Sequence, residues 1–203
     1  MKISKIRRLC YGMRRFAIID AMDGGQWISD GYNAWKVCGM RLDEEALPHV
    51  FDLSNKQVRQ CTFTREDASH ACWDGERYAG IEETLIPMGD VTMWDEQLLA
   101  LRGTEPERLV FLPRSALGPV KVTDDTEFRA RRWTPAGSVD AEAMMIAVYN
   151  GMFCDALIPP MAPVSAETIV KFLRRVVDIP IWDGKRRTAF ELVHNSDQGS
   201  EVK

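Results

Sequence analysis

Two residues of the metal-ligand type stand close together in the sequence, at His70-Ala-Cys72. Thiolate and imidazole are the ligands that zinc prefers, and a structural zinc site needs four of them, usually as two closely spaced pairs. The chain offers only two further histidines, His49 and His194, and its five cysteines are scattered without a Cys-x-x-Cys pair. We therefore predict no metal site, and we interpret the cysteines as reduced thiols in or near the core.

An acid and a lysine two positions apart, Asp183-Gly-Lys185, form the pattern most suggestive of catalysis. With a second carboxylate from Asp155 or Glu142, they would resemble the core of metal-dependent nucleases, in which carboxylates hold Mg²⁺ and the lysine polarises the attacking water. The same spacing recurs by chance at Glu201-Val-Lys203, and Asp-Gly is a common turn dipeptide. No nucleophile-elbow, zinc-protease or phosphate-loop motif accompanies it. We predict no catalytic residue and no cofactor, and we keep a nuclease as a minor alternative.

Basic residues are confined to a few clusters although the net charge is −4. Residues 1–15 contain six basic residues and no acid, and a second cluster lies at residues 171–175. Such clusters can bind a polyanion locally, whereas solvated surface is the more ordinary interpretation. If they do bind nucleic acid, the predicted contact residues are Lys5, Arg7, Arg8, Arg14, Arg15, Lys171, Arg174 and Arg175.

Two predicted helices carry these clusters. In residues 3–14 the apolar side chains of Ile3, Ile6, Leu9 and Met13 recur at helical spacing, and basic residues occupy most other positions. A second helix is predicted from Ser165, a good N-cap, to about Asp178, with the lysine and arginines opposite its apolar stripe. A third basic stretch, Phe128-Arg-Ala-Arg-Arg-Trp133, alternates with aromatic residues. It could stack on single-stranded bases, but a half-buried strand has the same alternation, and we favour the strand.

The clearest local signal is a hairpin between Met144 and Met161. Asn150-Gly151 tolerates the positive φ of a tight turn, and the runs Met144–Tyr149 and Met152–Ile158 are apolar on both faces. This hairpin is therefore expected deep inside a sheet, and Pro159-Pro160 should end its second strand.

The rest of the chain is predicted to alternate strands, turns and short helices. Strands are expected at Phe16–Ile19, Thr62–Thr64, Thr84–Pro87, Leu109–Leu112 and Glu127–Trp133, and Asp30-Gly31 should form a turn or a bulge. Leu42–Gln60 should be helical in two pieces around Pro48, with Ser54 capping the second, and Val91–Arg102 should be a helix closed by Gly103. We predict an α+β fold, with a mostly antiparallel sheet and helices packed on one face.

Two segments look alike and raise the question of an internal duplication. Ala71-Cys-Trp-Asp-Gly75 precedes Leu85-Ile-Pro-Met88, and Ala147-Val-Tyr-Asn-Gly151 precedes Leu157-Ile-Pro-Pro-Met161. Either a hairpin-plus-helix unit is duplicated, with halves 1–104 and 105–194, or the two hairpins are alike by chance. In both cases we predict one domain over residues 1–194 and a disordered polar tail over residues 195–203.

Three stretches resemble the DNA sliding-clamp superfamily, as a reduced version of the kind carried by a phage or mobile element. They are Trp27–Val37, with its Ser-Asp-Gly step, Val110–Val120, which is similar to the strand-then-helix entry of a clamp half-domain, and Ala156–Met161, which is similar to a proline-ended last strand. The resemblance implies a non-enzymatic, oligomeric, β-rich protein whose helices present basic side chains to the DNA backbone. The chain departs from the family in being shorter than a two-domain protomer and in having Pro48 within a helical stretch.

The leading hypothesis is therefore a clamp-like DNA-associated accessory protein that binds the phosphate backbone without sequence preference. The alternatives are a protein–protein interaction or structural module and the metal-dependent nuclease. No run reaches the roughly 18 apolar residues of a membrane span, and the first residues lack the apolar run of a signal peptide, so we expect a cytoplasmic protein without a membrane partner.

Overall fold

A computed structural model describes residues 2–21, 23–37, 39, 41–67, 80–93, 95–104, 109–133 and 143–161. They belong to a unit that spans Met1–Met161, and a second unit, Ala162–Lys203, lies wholly outside the described residues. The predicted helix from Ser165 to Asp178, the domain boundary at residue 194 and the tail 195–203 fall in that second unit.

Ten strands of the described residues form one continuous sheet. The strands are β1 (Arg15–Asp20), β2 (Gln26–Ser29), β3 (Ala34–Val37), β4 (Thr62–Asp67), β5 (Ile81–Met93), β6 (Glu96–Arg102), β7 (Leu109–Pro113), β8 (Thr126–Trp133), β9 (Ala143–Asn150) and β10 (Phe153–Ile158). Their order is β4-β1-β2-β3-β10-β9-β8-β5-β6-β7, and every neighbouring pair is antiparallel except β1 and β4. The helices are α1 (Ile3–Met13), α2 (Leu47–Val50), α3 (Asn55–Val58) and α4 (Arg114–Leu117).

The predicted apolar hairpin, β9 and β10, lies in the interior of this sheet, between β8 and β3. Its turn is one residue later than predicted, because Asn150 still pairs with Phe153 and the loop consists of Gly151, at φ 62°, and Met152. Asn150 instead uses its side chain, which accepts a hydrogen bond from Thr126 Oγ1 (2.8 Å) and donates one to Asp155 (2.6 Å). The amide thus ties the end of the hairpin to β8.

The chain contains two similar units, each made of one helix followed by a three-stranded meander. The two units meet at the centre of the sheet. The first is α1-β1-β2-β3 and the second is α4-β8-β9-β10, and their last strands pair with each other through Trp35–Ala156 and Ala34–Leu157. Trp35 also donates a hydrogen bond from its indole Nε1 to the carbonyl of Ala116 in α4 (3.0 Å). One side chain therefore joins the first unit to the helix of the second.

The long strand β5 connects two parts of the sheet whose buried side chains share one core. Its first residues pair with β8 and the rest pair with β6, with an irregularity between Pro87 and Gly89. As a result, buried side chains of β6 and β7 pack in the same cluster as those of β1 and β3. Ile6 and Cys10 of α1, Leu47 of α2 and Ala116 and Leu117 of α4 belong to this cluster as well. These helices pack on one face of a mostly antiparallel sheet, which confirms the predicted α+β fold class.

The predicted helix over Val91–Arg102 is wrong, because this segment forms the end of β5 and the strand β6. The run Leu98–Leu101 is apolar at every position, and all four side chains are buried. A continuous apolar run of this length suits a strand covered on both faces as well as a helix, so spacing alone misleads. Met93 pairs with Glu96, and Asp95 adopts a left-handed backbone (φ 64°) in the tight turn between them. The hairpin-plus-helix unit predicted around residue 88 therefore has strand where its helix was expected.

Several short-range predictions are confirmed. The helix of residues 3–14 is α1, and the Asp30-Gly31 turn joins β2 to β3. Ser54 forms a full capping box with Gln57 at the start of α3. Among the helices in the described part of the chain, none combines the length and apolar character needed to cross a membrane.

The central hairpin should dominate the stability of the sheet. Ile146 on β9 is fully buried, so we expect Ile146→Ala to lower the free energy of unfolding by about 2–5 kcal/mol, through lost burial and the cavity left behind. Met152 in the turn of the same hairpin is 82% exposed, and Met152→Ala should change it by less than about 0.5 kcal/mol. Urea denaturation at neutral pH measures both, and equal effects would contradict the central position of β9.

Candidate nucleic-acid interface

The helix α1 carries three of the predicted contact residues, a fourth caps its C-terminus, and the helix is held firmly on the protein. Ile6 and Cys10 are fully buried beneath it, and the backbone N–H of Lys2, just before the helix, donates a hydrogen bond to the carbonyl of Pro119 (2.8 Å). At the other end Arg14 closes the helix in a left-handed conformation (φ 54°), and its N–H bonds to the carbonyl of Tyr11. The basic side chains therefore project from a fixed support.

One flank of α1 faces the segment around α3. Arg7 forms a 3.7 Å ion pair with Asp52, and Tyr11 donates a hydrogen bond from its hydroxyl to Gln60 (2.9 Å). The carbonyl of Arg14 accepts a hydrogen bond from the N–H of Thr62 at the start of β4 (2.9 Å), while the Arg14 residue is exposed. Arg15, the first residue of β1, pairs with Glu66 at 2.6 Å. Two of these arginines are thus neutralised by nearby carboxylates.

The other flank of α1 forms one wall of a groove of about 430 Å³. The groove is lined by Lys5, Arg8, Leu9, Asp95, Glu96, Gln97, Arg114, Ser115 and Gly118. Lys5 and Arg8 are exposed, and neither forms an ion pair with any residue the structure describes. Gly118 leaves room for the lysine stem, since a Cβ there would lie 3.2 Å from Lys5 Cδ.

The structure therefore brings five of the eight predicted residues to one end of the sheet but divides them between two flanks. Lys5 and Arg8 share the groove, and Arg7, Arg14 and Arg15 lie toward α3 and β4. Lys171, Arg174 and Arg175 lie outside the described residues. Prediction from the sequence missed the groove residues of α4 and of the β5–β6 turn, because only tertiary packing places them beside α1.

The arginines of β8 serve a different purpose, in a buried ionic cluster formed by Glu82, Arg129, Arg131 and Tyr149. Arg131 has no exposed surface, and it donates hydrogen bonds to Glu82 (2.7 Å) and to the hydroxyl oxygen of Tyr149 (2.5 Å). Tyr149 in turn donates to Glu82 (2.9 Å). Arg129 lies 3.3 Å from Glu82 and stacks over the Tyr149 ring, with its guanidinium carbon 4.6 Å from the ring centroid. The favoured interpretation of Phe128–Trp133 as a strand is confirmed.

The pKa values in the buried ionic cluster show how it is held together. Burial would raise the pKa of the Glu82 carboxyl, but hydrogen bonds from Arg131, Tyr149 and Arg129 outweigh burial and lower it. Burial raises the pKa of the Tyr149 hydroxyl to about 12, so this phenol stays protonated and can donate to Glu82. The cluster is thus a satisfied, ionised network rather than a site poised for proton transfer near neutral pH.

The thiols and carboxylates of the described residues form no metal site. Cys10, Cys61 and Cys154 are free thiols, and burial raises the pKa of all three, that of Cys154 to about 11. Within the described ranges no three histidine, cysteine or acidic residues cluster closely enough to hold a metal ion. Asp155, a candidate nuclease carboxylate, is hydrogen-bonded to Asn150, and Glu142, Asp183 and Lys185 fall outside those ranges, as do His70 and Cys72.

Comparison with known proteins adds no assignment to this geometry. No family model, curated protein or solved structure matches the chain. The resemblance to sliding clamps therefore stays a prediction, and the function has to be argued from charge, exposure and shape.

Loss of the Glu82 carboxylate should destabilise the protein and flatten its response to acid. Because the folded-state pKa of Glu82 is lowered, its contribution is present above the unfolded value of about 4.3 and is lost as pH falls through the folded value. Glu82→Gln removes the carboxylate that binds the buried Arg131 and accepts from Tyr149, and we expect a loss of about 3 kcal/mol at pH 7 that shrinks in acid.

Glu127→Gln is the matched control for this variant. Glu127 binds Arg129 at 2.7 Å, but its side chain is 53% exposed, so the loss should stay below about 1 kcal/mol. Urea denaturation of both variants from neutral to acidic pH tests the assignment. A Glu82 variant as stable as the control at pH 7 would show that the cluster does not stabilise the fold.

Proposed function

We propose that the protein is a non-enzymatic, cytoplasmic accessory protein that associates with DNA and contacts the phosphate backbone through α1. The observation that carries this proposal is the state of three basic side chains. Lys5 and Arg8 on α1 and Arg14 at its C-terminal cap are exposed, and α1 contains no acidic residue. None of the three pairs with a carboxylate in the described part of the chain. In a sequence-independent contact, the phosphate backbone binds to unpaired cations that a rigid element holds in place.

The contrast with several arginines elsewhere in the molecule strengthens this argument. In the described residues, Arg65 binds Asp20 and Asp43, Arg114 binds Asp90, and Arg131 is engaged within the core. A chain of net charge −4 that keeps α1 free of acids concentrates positive potential at that helix. Binding of this kind releases counterions from the nucleic acid and is therefore steeply dependent on salt.

The architecture is compatible with the resemblance to the sliding-clamp superfamily. Val110–Val120 resembles the strand-then-helix entry of a clamp half-domain, and here β7 runs directly into α4. Two helix-plus-three-strand units lie side by side, with α1 and α4 on the same face of the sheet. We include in the proposal that the protein works as a homo-oligomer, in the manner of a reduced clamp from a phage or mobile element.

A second candidate, a protein–protein interaction module, is favoured by exposed apolar side chains on β5 and β7. Ile86 and Leu109 are neighbours across Arg102 of β6 and are 47% and 52% exposed, and Met88 nearby is 54% exposed. Apolar side chains grouped on a sheet surface are typical of contacts with other proteins. Such a contact is compatible with DNA binding at α1, because it uses β5 and β7 and leaves the helix free.

The double variant Lys5→Ala/Arg8→Ala tests the DNA-binding proposal. Loss of two phosphate contacts should weaken binding of a labelled DNA oligonucleotide at least tenfold at low salt and reduce the slope of log K against log salt by about 1.8 for duplex DNA. Fluorescence anisotropy across a potassium chloride series measures both quantities.

The control is Lys56→Ala/Arg59→Ala, which removes two exposed cations at the same spacing from α3 and its C-terminal end. This variant should retain the wild-type salt slope. Equal losses in the two variants would mean that net charge, rather than α1, determines binding, and absence of binding by the wild-type protein at low salt would overturn the proposal.

A further inference from the structure

The groove beside α1 has walls of opposite charge. Lys5 and Arg8 form one wall, and Asp95 and Glu96, from the β5–β6 turn and the start of β6, form another. An ion pair between these walls would need a nitrogen–oxygen distance within 4 Å, and none forms between them. The opposite charges therefore line one groove without pairing with each other, and Leu9 and Gly118 line it as well.

Neighbouring hydrogen bonds fix part of the lining and leave the rest available. Arg114 is committed to Asp90, to which its Nε donates at 2.6 Å. Ser115 donates from Oγ to one oxygen of Glu96 at 3.3 Å, which leaves the second carboxylate oxygen available. Asp95 is exposed in its left-handed turn and pairs with no cation among the described residues. Two cations and the carboxylates of Asp95 and Glu96 thus face the same space without satisfying each other.

A ligand that fills this space must carry an anion at one end and hydrogen-bond donors at the other. A pure polyanion would be attracted by Lys5 and Arg8 but repelled by Asp95 and Glu96. A nucleotide meets both requirements, since its phosphate suits the basic wall and an exocyclic amino group of its base can donate to a carboxylate, as cytosine N4 does to Asp and Glu. The volume of about 430 Å³ is in the range of small-ligand sites and suits one nucleotide rather than a duplex.

We propose that the groove binds one nucleotide of a single strand, with its phosphate on Lys5 and Arg8 and the amino group of its base on Asp95 or Glu96. The proposal rests on the backbone binding proposed above and adds a base preference to it. Cytosine presents an amino donor at the position where thymine presents the carbonyl oxygen O4, which the carboxylates repel. The site therefore favours cytosine over thymine. Single strands are favoured over duplexes, because the groove has room for one nucleotide rather than for a duplex.

The test compares oligo(dC), oligo(dT) and a duplex of equal length at low salt, by fluorescence anisotropy with the full chain. The wild-type protein should bind oligo(dC) at least about fivefold more tightly than oligo(dT), as expected for a discriminating base contact. In Asp95→Asn/Glu96→Gln, the preference for oligo(dC) over oligo(dT) should shrink, because the amide oxygens accept more weakly than carboxylates and the new amide N–H groups can donate to thymine O4. Asparagine tolerates the left-handed backbone at residue 95, so the turn is retained.

Asp124→Asn/Asp125→Asn is the matched control, since it removes two adjacent exposed carboxylates from another turn. It should retain the preference for oligo(dC). An unchanged preference in the groove variant, equal tightening for both oligonucleotides or tighter binding of the duplex would overturn the inference. If Lys5→Ala/Arg8→Ala still weakens DNA binding while the wild-type protein shows no base preference, the proposed function stands and only the nucleotide site fails.

Discussion

The pairing of β3 with β10 is the constraint on which the rest of the structure depends. Only two residue pairs form this junction, and the Trp35 indole supplements them by bonding to the carbonyl of Ala116. Because the junction aligns the two helix-plus-strand units, it brings α4 and the segment after it against α1, where Lys2 bonds to Pro119 and Lys5 lies beside Gly118. The groove exists because two units distant in sequence share one sheet.

The molecule separates its arginines into two groups with different environments. Those of β8 are partly or, for Arg131, fully buried and are paired with Glu82, Glu83 and Glu127, so their charge is used within the protein. The exposed basic residues of the groove flank of α1 have no such partners among the described residues and keep their charge for solvent or a ligand. Clusters of basic residues that look equivalent in the sequence thus differ in the availability of their charge.

Most predictions based on local chemistry agree with the structure, whereas the sequence does not reveal which distant residues share a surface. The amphipathic spacing of α1, the buried hairpin β9–β10 and the capping box at Ser54 depend on residues a few positions apart, and all three are confirmed. The prediction of a helix over Val91–Arg102 is wrong because an apolar run does not reveal whether it is covered on both faces of a sheet. The sequence predicts Lys5 and Arg8 as contact residues, but it does not place Asp95 and Glu96 opposite them, because about ninety residues separate the two walls.

The short β3–β10 junction also bears on how the protein is made. Since β3 ends at Val37 and β10 begins at Phe153, a ribosome must complete most of the chain before these strands can meet. Until then the nascent first meander exposes the backbone groups of β3 along an unpaired edge, which is a surface prone to aggregation. Long-range closure of this kind also slows folding, because the loop entropy is lost before the contacts form. The two residue pairs that align the units in the finished protein are thus formed late, and the edge of β3 stays exposed until then.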